Sequence, residues 1–187
     1  FMGVRISCSI PARIGLLGNP SDGYFGECIS LPVWNWQATV TLTPATKNTL
    51  PKSGQSENAQ SENAQSENTL PEDIGLRRIM EPTLTVFESK FKIESKPFNA
   101  EVDTTIPRQV GLAGSSAIET AFILALMAHN DIPLYTLSPR ELAELVLKVE
   151  VEELGMVAGL QDRLPQAFGC MLHMDFKQEL MEGRGYG

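Results

Sequence analysis

The 187-residue sequence has few of the side chains that disulfide and metal sites require. Its three cysteines, Cys8, Cys28 and Cys170, are odd in number and widely spaced, which argues against a disulfide framework or a zinc site. Reduced thiols in a cytoplasmic protein are the expected alternative. Only two histidines, His129 and His173, are present, which argues against a histidine metal site or a serine–histidine–aspartate triad.

Basic charge and long apolar runs are also scarce. The formal net charge is −8 at pH 7, whereas nucleic-acid binding depends on basic patches, so no nucleic-acid partner is expected. No apolar run reaches membrane-spanning length, and the N-terminus lacks the basic-then-apolar layout of a signal peptide. With 42% hydrophobic residues, the composition is typical of a globular protein without a membrane partner.

A glycine- and serine-rich stretch in the middle of the chain carries the main functional signal. Residues 107–119, Pro-Arg-Gln-Val-Gly-Leu-Ala-Gly-Ser-Ser-Ala-Ile-Glu, lead into an apolar-periodic run that predicts a helix. Free N–H groups and the positive end of the helix dipole converge at such a start, so a phosphate is the expected ligand. A simpler interpretation is a capping box, because Ser116 and Glu119 have its spacing. No lysine follows the second glycine, so this is not a Walker A loop.

Periodicity and turn residues predict the remaining elements. Strands are expected over 4–10, the first half of 11–26, 28–31, 37–43, 83–87, 91–94 and 170–176. Helices are expected over 74–80, from about 118 to about 130, from 138 to about 155 and from 159 to 168. The first of these helices should stop near Pro82, and Ser138 to Glu141 form a second capping-box pattern with proline at the first helical position. The tail from Met181 predicts no element.

The stretch from about residue 47 to 73 differs in composition from the rest of the chain. Gln-Ser-Glu-Asn-Ala occurs at 55–59 and 60–64, and in part at 65–68. A five-residue polar repeat has no apolar face to bury and matches no solenoid period. The stretch therefore predicts a disordered surface insertion, with a binding tract as the alternative.

Three separated stretches together resemble the GHMP kinases, a family that includes galacto-, homoserine, mevalonate and phosphomevalonate kinases. Residues 11–22, Pro-Ala-Arg-Ile-Gly-Leu-Leu-Gly-Asn-Pro-Ser-Asp, resemble the family's first motif. Residues 110–117 resemble its phosphate-binding second motif, and residues 158–163, Ala-Gly-Leu-Gln-Asp-Arg, resemble the segment with the catalytic aspartate. Within the family the chain is most similar to the plant-type glucuronokinase branch, whose members use ATP to phosphorylate the anomeric hydroxyl of D-glucuronate.

The resemblance implies an α+β fold with an α/β two-layer arrangement. The expected form is the ribosomal protein S5 domain 2-like fold of the GHMP kinase N-terminal domain, with a left-handed β–α–β crossover against the usual right-handed preference. It covers only this ATP-binding domain, over residues 1–187 with the insertion. The family's third glycine-rich motif and its C-terminal domain have no counterpart in this sequence. The face that the C-terminal domain covers in the family is therefore expected to mediate self-association. An inactive nucleotide- or sugar-binding fragment, or a kinase for another small alcohol, is the alternative function.

The resemblance also implies the nucleotide and metal ligands. The ATP phosphates would be bound by Gly111, Leu112, Ala113, Gly114, Ser115 and Ser116. Magnesium would be bound by Ser116 and Glu150, with Glu152 and Glu153 as rivals for the carboxylate. Outside the family, Glu150 has the simpler interpretation of a solvated helix face.

The catalytic and sugar-binding residues are implied in the same way. Asp162 would be the general base toward the substrate hydroxyl, with Arg13 as its basic partner, and Asp22 and Tyr24 would contact the sugar. An arginine favours the ionised form of a neighbouring carboxylate, which suits a proton acceptor. An ordinary ion pair is the simpler interpretation of Arg13 and Asp162.

Two further pairs of residues stay open. Trp34 and Trp36 suit either an adenine pocket or strand packing. Arg108 and Arg163 are candidates for binding the carboxylate of a sugar acid.

Overall fold

The computed structural model describes residues 4–51 and 72–184. The strands are β1 Ile6–Leu17, β2 Glu27–Pro44, β3 Phe98–Thr104 and β4 Leu172–Asp175. The α-helices are α1 Glu72–Phe91, α2 Gly114–His129, α3 Pro139–Lys148, α4 Leu160–Phe168 and α5 Gln178–Arg184. Short 3₁₀ helices lie at Ser21–Tyr24 and Leu134–Thr136, and a π-helical turn lies at Val149–Glu153.

β2 is the central strand of an antiparallel sheet. β1 pairs along one edge of β2, while β3 and β4 share the opposite edge, with β3 beside Ala38–Pro44 and β4 beside Glu27–Ser30. A parallel bridge joins Thr49 to Asn99 on the far side of β3. Because α1 connects these two segments, they form a β–α–β unit. The expected α+β fold is confirmed, while the hand of the crossover stays a prediction.

A bulge in the β1–β2 pairing orients the side chains that follow it. Pro11 pairs with Gln37, but Ala12 pairs with Val33, so residues 34–36 have no partner on β1. The alternation of buried and exposed residues breaks here, and the four consecutive residues Ile10–Arg13 are all buried. Bulges turn side chains away from their regular direction. β2 continues through this bulge, so the two strands predicted at 28–31 and 37–43 form a single strand.

The helix α2 forms the centre of the hydrophobic core. It packs against β1 and β2 on one side and contacts α1, α3 and α4 on the others, so nearly all of its residues are buried. A helix that is apolar on every side is expected only in such a position. The edge of Phe122 meets the ring of Phe98 from β3, with 5.8 Å between the ring centroids.

The start of α2 differs from the capping-box interpretation. The helix begins at Gly114, after Ala113 in the left-handed conformation, and no side chain caps it. Ser116 and Glu119 therefore lie inside the helix, where both are buried. The capping box predicted from their spacing is wrong, because the left-handed turn starts the helix two residues before Ser116.

The prediction of a short helix followed by two strands at 74–94 is also wrong. α1 runs through Pro82 to Phe91. Its buried face is formed by Met80, Thr83 and Phe87, whose spacing of three and four residues is that of a helix. Pro82 removes the backbone donor to the carbonyl of Arg78, and the neighbouring Thr83 Oγ1 donates to the carbonyl of Ile79 at 2.8 Å. Burial of this face outweighs the alternating pattern that suggested strands.

The later elements agree more closely with expectation. The predicted capping box at the start of α3 is confirmed, with Ser138 Oγ accepting from the N–H of Glu141 and the Glu141 carboxylate accepting from the N–H of Ser138. β4 and α4 lie within the predicted ranges. The tail forms α5, where no element was expected.

The predicted insertion lies largely outside the described residues, including all of the Gln-Ser-Glu-Asn-Ala repeats. At its start, Thr49 belongs to the bridge with β3 and Leu50 is buried in the core. Within residues 4–51 and 72–184, no helix is both long enough and apolar enough to cross a bilayer.

Candidate active site

The loop before α2 has the backbone shape of an anion-binding turn. Every second residue of this loop has a positive φ angle, which is 57° at Gln109, 74° at Gly111 and 58° at Ala113. Turns with left-handed residues bring successive N–H groups onto one concave side, and the first N–H groups of α2 have no partner within the helix. A Cβ atom added at Gly111 would meet nothing within 4 Å, so the space beside the Cα of Gly111 is open.

Two other elements fix the position of this loop. The N–H of Arg13 in β1 donates to the carbonyl of Leu112 at 3.1 Å. From α4, Gln166 Nε2 donates to the carbonyls of Ala113 at 2.9 Å and Pro11 at 3.1 Å. Gln166 was not among the residues predicted from the sequence, although its place four residues after Asp162 puts the two side chains on neighbouring positions of one helix face.

The Ser116 hydroxyl belongs to this same network. It donates to Gln166 Oε1 at 2.8 Å, and the side chain is 1% exposed. The predicted metal site required the Ser116 hydroxyl to face Glu150, but this hydroxyl faces Gln166 instead. Adjacent helical residues point about 100° apart, and the neighbouring Ser115 is the residue that contacts Glu150, with 3.0 Å between Ser115 Oγ and Glu150 Oε1.

Glu150 is held by a buried arginine. It lies in the π-helical turn after α3, is 1% exposed and forms an ion pair with Arg163 of α4. Its rivals Glu152 and Glu153 are exposed. Burial lowers the pKa of Arg163 to about 10, while the charge of Glu119 opposes that shift. Arg163 is thus engaged with acidic groups of the protein itself.

Glu119 is an unexpected buried acid, one helical turn after Ser115. It is 0% exposed, and neither carboxylate oxygen has a hydrogen-bond partner within the described part of the chain. Burial raises the pKa of Glu119 from 4.5 to about 8, against the opposing effect of the positive charge on Arg163. A lone glutamate in an apolar helical run was the only sequence signal for this group.

Arg13 and Asp162 are brought together as the family resemblance implies. Their side chains form an ion pair in which that of Arg13 is 5% exposed and that of Asp162 is 26% exposed. Burial lowers the pKa of Arg13, and the negative charges of Asp22 and Cys28 act in the opposite direction. The carboxylate is therefore the member of the pair that solvent or a substrate can reach.

The 3₁₀ turn at Ser21–Tyr24 lies against the start of α4. Asp22 Oδ2 accepts from the N–H of Gln161 at 3.3 Å, which places the predicted sugar-binding acid next to the segment with Asp162. Tyr24 is 80% exposed, and no contact of its side chain with Asp162 is seen in the described structure.

The remaining candidates lie outside this cluster. Arg108 is exposed, and its guanidinium lies beside Gly75 of α1. Trp34 and Trp36 lie in the β2 bulge and are 57% and 40% exposed, so neither belongs to the core.

Comparison with known proteins agrees with this arrangement. Residues 78–170 match the family model described as the GHMP kinases N terminal domain. The chain is 37% identical over 184 residues to Glucuronokinase 1 and 37% identical over 185 residues to Probable glucuronokinase 2, both from Arabidopsis thaliana. Each alignment covers 94% of this chain and 50% of the relative, so the chain spans about half the length of these curated relatives.

The fold is also found in a solved kinase structure. The crystal structure of a D-glycero-D-manno-heptose 1-phosphate kinase from Bacteriodes thetaiotaomicron superposes with a TM-score of 0.70 at 23% identity, covering 94% of this chain and 57% of that chain. The family match, the shared fold and the meeting of all three motif regions at one place lead to the same assignment. The chain belongs to the GHMP kinases and carries their N-terminal domain.

Proposed function

We propose that the protein is an ATP-dependent sugar kinase that phosphorylates the anomeric hydroxyl of D-glucuronate to glucuronate 1-phosphate. Its similarity to two glucuronokinases over 94% of this chain supports the choice of substrate. The observation that carries the proposal is the position of Arg13, whose N–H bonds to the loop at Leu112 while its guanidinium pairs with Asp162. One residue thus links the phosphate-binding loop to the acid, and phosphoryl transfer depends above all on such positioning.

The ATP phosphates are assigned to the loop of residues 111–116. Its left-handed residues and the N-terminus of α2 direct backbone N–H groups and a positive dipole toward the open space beside Gly111. The contacts from Arg13 and Gln166 fix the loop before a ligand arrives. A preformed set of donors stabilises the transferred charge without a reorganisation cost.

Ser115 and Glu150 fit a magnesium site. Mg²⁺ prefers hydroxyl, carboxylate and phosphate oxygens, and Ser115 Oγ and Glu150 Oε1 lie 3.0 Å apart at the start of α2. We assign the metal to this pair in place of the predicted Ser116, whose hydroxyl contacts Gln166 and not Glu150. When bound there, the ion would neutralise phosphate charge. Arg163 holds Glu150 from the buried side.

Asp162 is the residue that faces the acceptor alcohol. It is the more exposed member of its ion pair, and an ionised carboxylate can orient the hydroxyl and accept its proton as the oxygen attacks phosphorus. The ion pair with Arg13 fixes the direction of the carboxylate. The sugar is assigned to the space beside the Ser21–Tyr24 turn, with Asp22 and Tyr24 as its contacts.

The test is a phosphotransfer assay with the purified chain, ATP and four acceptors: glucuronate, galactose, mevalonate and homoserine. We expect glucuronate to be phosphorylated, and we expect Asp162→Ala to lower the rate by at least about 100-fold, since a positioned base contributes about 10²–10⁴. Binding of a fluorescent ATP analogue should be nearly unchanged in this variant. ATP binding without phosphorylation of any acceptor would overturn the kinase proposal and leave a nucleotide-binding module. Equal loss of binding and transfer would make Asp162 structural.

A further inference from the structure

The helix that carries Asp162 has no cap of its own. α4 starts at Leu160 after Gly159, which has extended backbone angles and no side chain to accept a hydrogen bond. The first N–H groups of a helix need acceptors from outside it. Here the acceptor comes from far away in sequence, because the N–H of Gln161 donates to Asp22 Oδ2 at 3.3 Å. Gln161 is the second residue of the helix, and this is a position that a local N-cap side chain would serve.

Gly159 leaves room for that distant carboxylate. A Cβ atom added at Gly159 would overlap the Asp22 carboxyl group. The φ of Gly159 is −137°, an ordinary value for any residue, so glycine is not required there for its backbone freedom. The space beside its Cα is instead filled by Asp22.

Other contacts hold Asp22 and α4 in this relation. The second carboxylate oxygen, Asp22 Oδ1, accepts from the N–H of Gly23 at 3.1 Å, which orients the side chain. Gln161 Nε2 donates to Asn19 Oδ1, so the same loop contacts the first turn of α4 a second time. A negative charge at a helix N-terminus is also favourable in the field of the helix dipole.

We propose that Asp22 is the N-cap of α4, supplied from the loop between β1 and β2, and that it is a positioning residue for Asp162. Asp162 follows Gln161 directly, so the contact that fixes the N–H of Gln161 also fixes the direction of the acid toward Arg13. The catalytic part of this inference rests on the proposed kinase function, whereas the capping part does not. Movement of the loop between β1 and β2 would therefore change the position of Asp162 through this contact.

The experiment is a cycle of variants, Asp22→Ala, Gly159→Ala and the double variant, read by amide hydrogen exchange at Gln161. We expect each single variant to raise the exchange rate about fivefold, because loss of a cap is worth about that factor. The double variant should exchange no more than about twofold faster than Asp22→Ala, since the added methyl group then meets empty space. Unchanged exchange in Asp22→Ala, or multiplicative effects in the double variant, would overturn the proposal.

Ser138→Ala is the matched control, because it removes the cap of α3 and leaves α4 alone. It should raise the amide exchange rate at Glu141 and not at Gln161, and unchanged slow exchange within α2 would show that every variant is folded.

Asp22→Asn keeps an acceptor oxygen and should restore exchange protection at Gln161. In the phosphotransfer assay Asp22→Asn should keep a larger share of kcat than Asp22→Ala; equal loss of kcat would limit Asp22 to sugar binding. A chain without kinase activity would defeat the proposed function, while the exchange data would still decide the capping.

Discussion

Replacement of Glu119 by glutamine should make the protein more stable at neutral pH, by an amount that grows with pH. The carboxyl is 0% exposed, and burial raises its pKa from 4.5 to about 8. The unfolded chain therefore releases this proton near pH 4.5, while the native protein keeps it up to about pH 8. Between these values the native state binds more protons than the unfolded state, so stability falls as pH rises. The contribution is fully present below pH 4.5 and lost by about pH 8.

The size of the effect follows from the width of this window. Each pH unit changes the free energy of unfolding by about 1.4 kcal/mol, so the whole window corresponds to about 5 kcal/mol. Domains of this size are typically stable by only about 5–15 kcal/mol, so the change is large. Glutamine has nearly the same shape and does not titrate, which isolates the charge from the packing.

The assay is urea unfolding of the wild type and Glu119→Gln at a series of pH values. The difference in free energy of unfolding between the two proteins should increase by about 3 kcal/mol from about pH 5 to about pH 7.5. Taking the difference cancels the titration of all other groups. Glu94→Gln, at an exposed position, provides the control for the chemical change from glutamate to glutamine. Parallel profiles for the wild type and Glu119→Gln would refute a buried, unpaired carboxyl at this position.

Three further predictions concern the loop before α2 and the first turn of that helix. Gly111→Ala should weaken ATP binding by about tenfold, because its φ of 74° costs a side chain about 1–2 kcal/mol; unchanged affinity in a fluorescence titration would argue against the loop. Ser115→Ala should weaken the binding of Mg²⁺ with ATP by about tenfold in a metal titration and leave stability nearly constant. Ser116→Ala should instead lower the free energy of unfolding by about 1–3 kcal/mol, because it leaves Gln166 Oε1 buried without a donor. The reverse pattern in the two serine variants would return the metal to Ser116.

The sequence predicts best where the signal is local. The glycine-rich turn before α2 and the Ser138 capping box depend on residues a few positions apart, and both lie at helix starts in the structure. The pairing of Arg13 with Asp162 followed from the family resemblance and not from spacing, because about 150 residues separate the two motifs. Tertiary contacts of that kind have no local pattern in a single sequence.

The errors arise where tertiary packing outweighs local preference. α1 continues through Pro82 because the face that contains Met80 and Phe87 is buried against the core. Ser115, rather than Ser116, contacts Glu150 because of the starting residue of α2, which a left-handed Ala113 determines. Gln166 was missed because its acceptors, the carbonyls of Pro11 and Ala113, come from two other elements. Backbone acceptors leave no trace in side-chain composition.

The division of one edge of β2 between β3 and β4 has a consequence for the order of events during biosynthesis. The β1–β2 hairpin involves neighbouring segments and can form as soon as about the first 45 residues have left the ribosome. β4 closes a far longer loop, since the hydrogen bond between His173 Nε2 and Glu27 Oε2 spans 146 residues, and loops of that length close slowly. Until translation passes β4, the first half of β2 presents an unpaired strand edge.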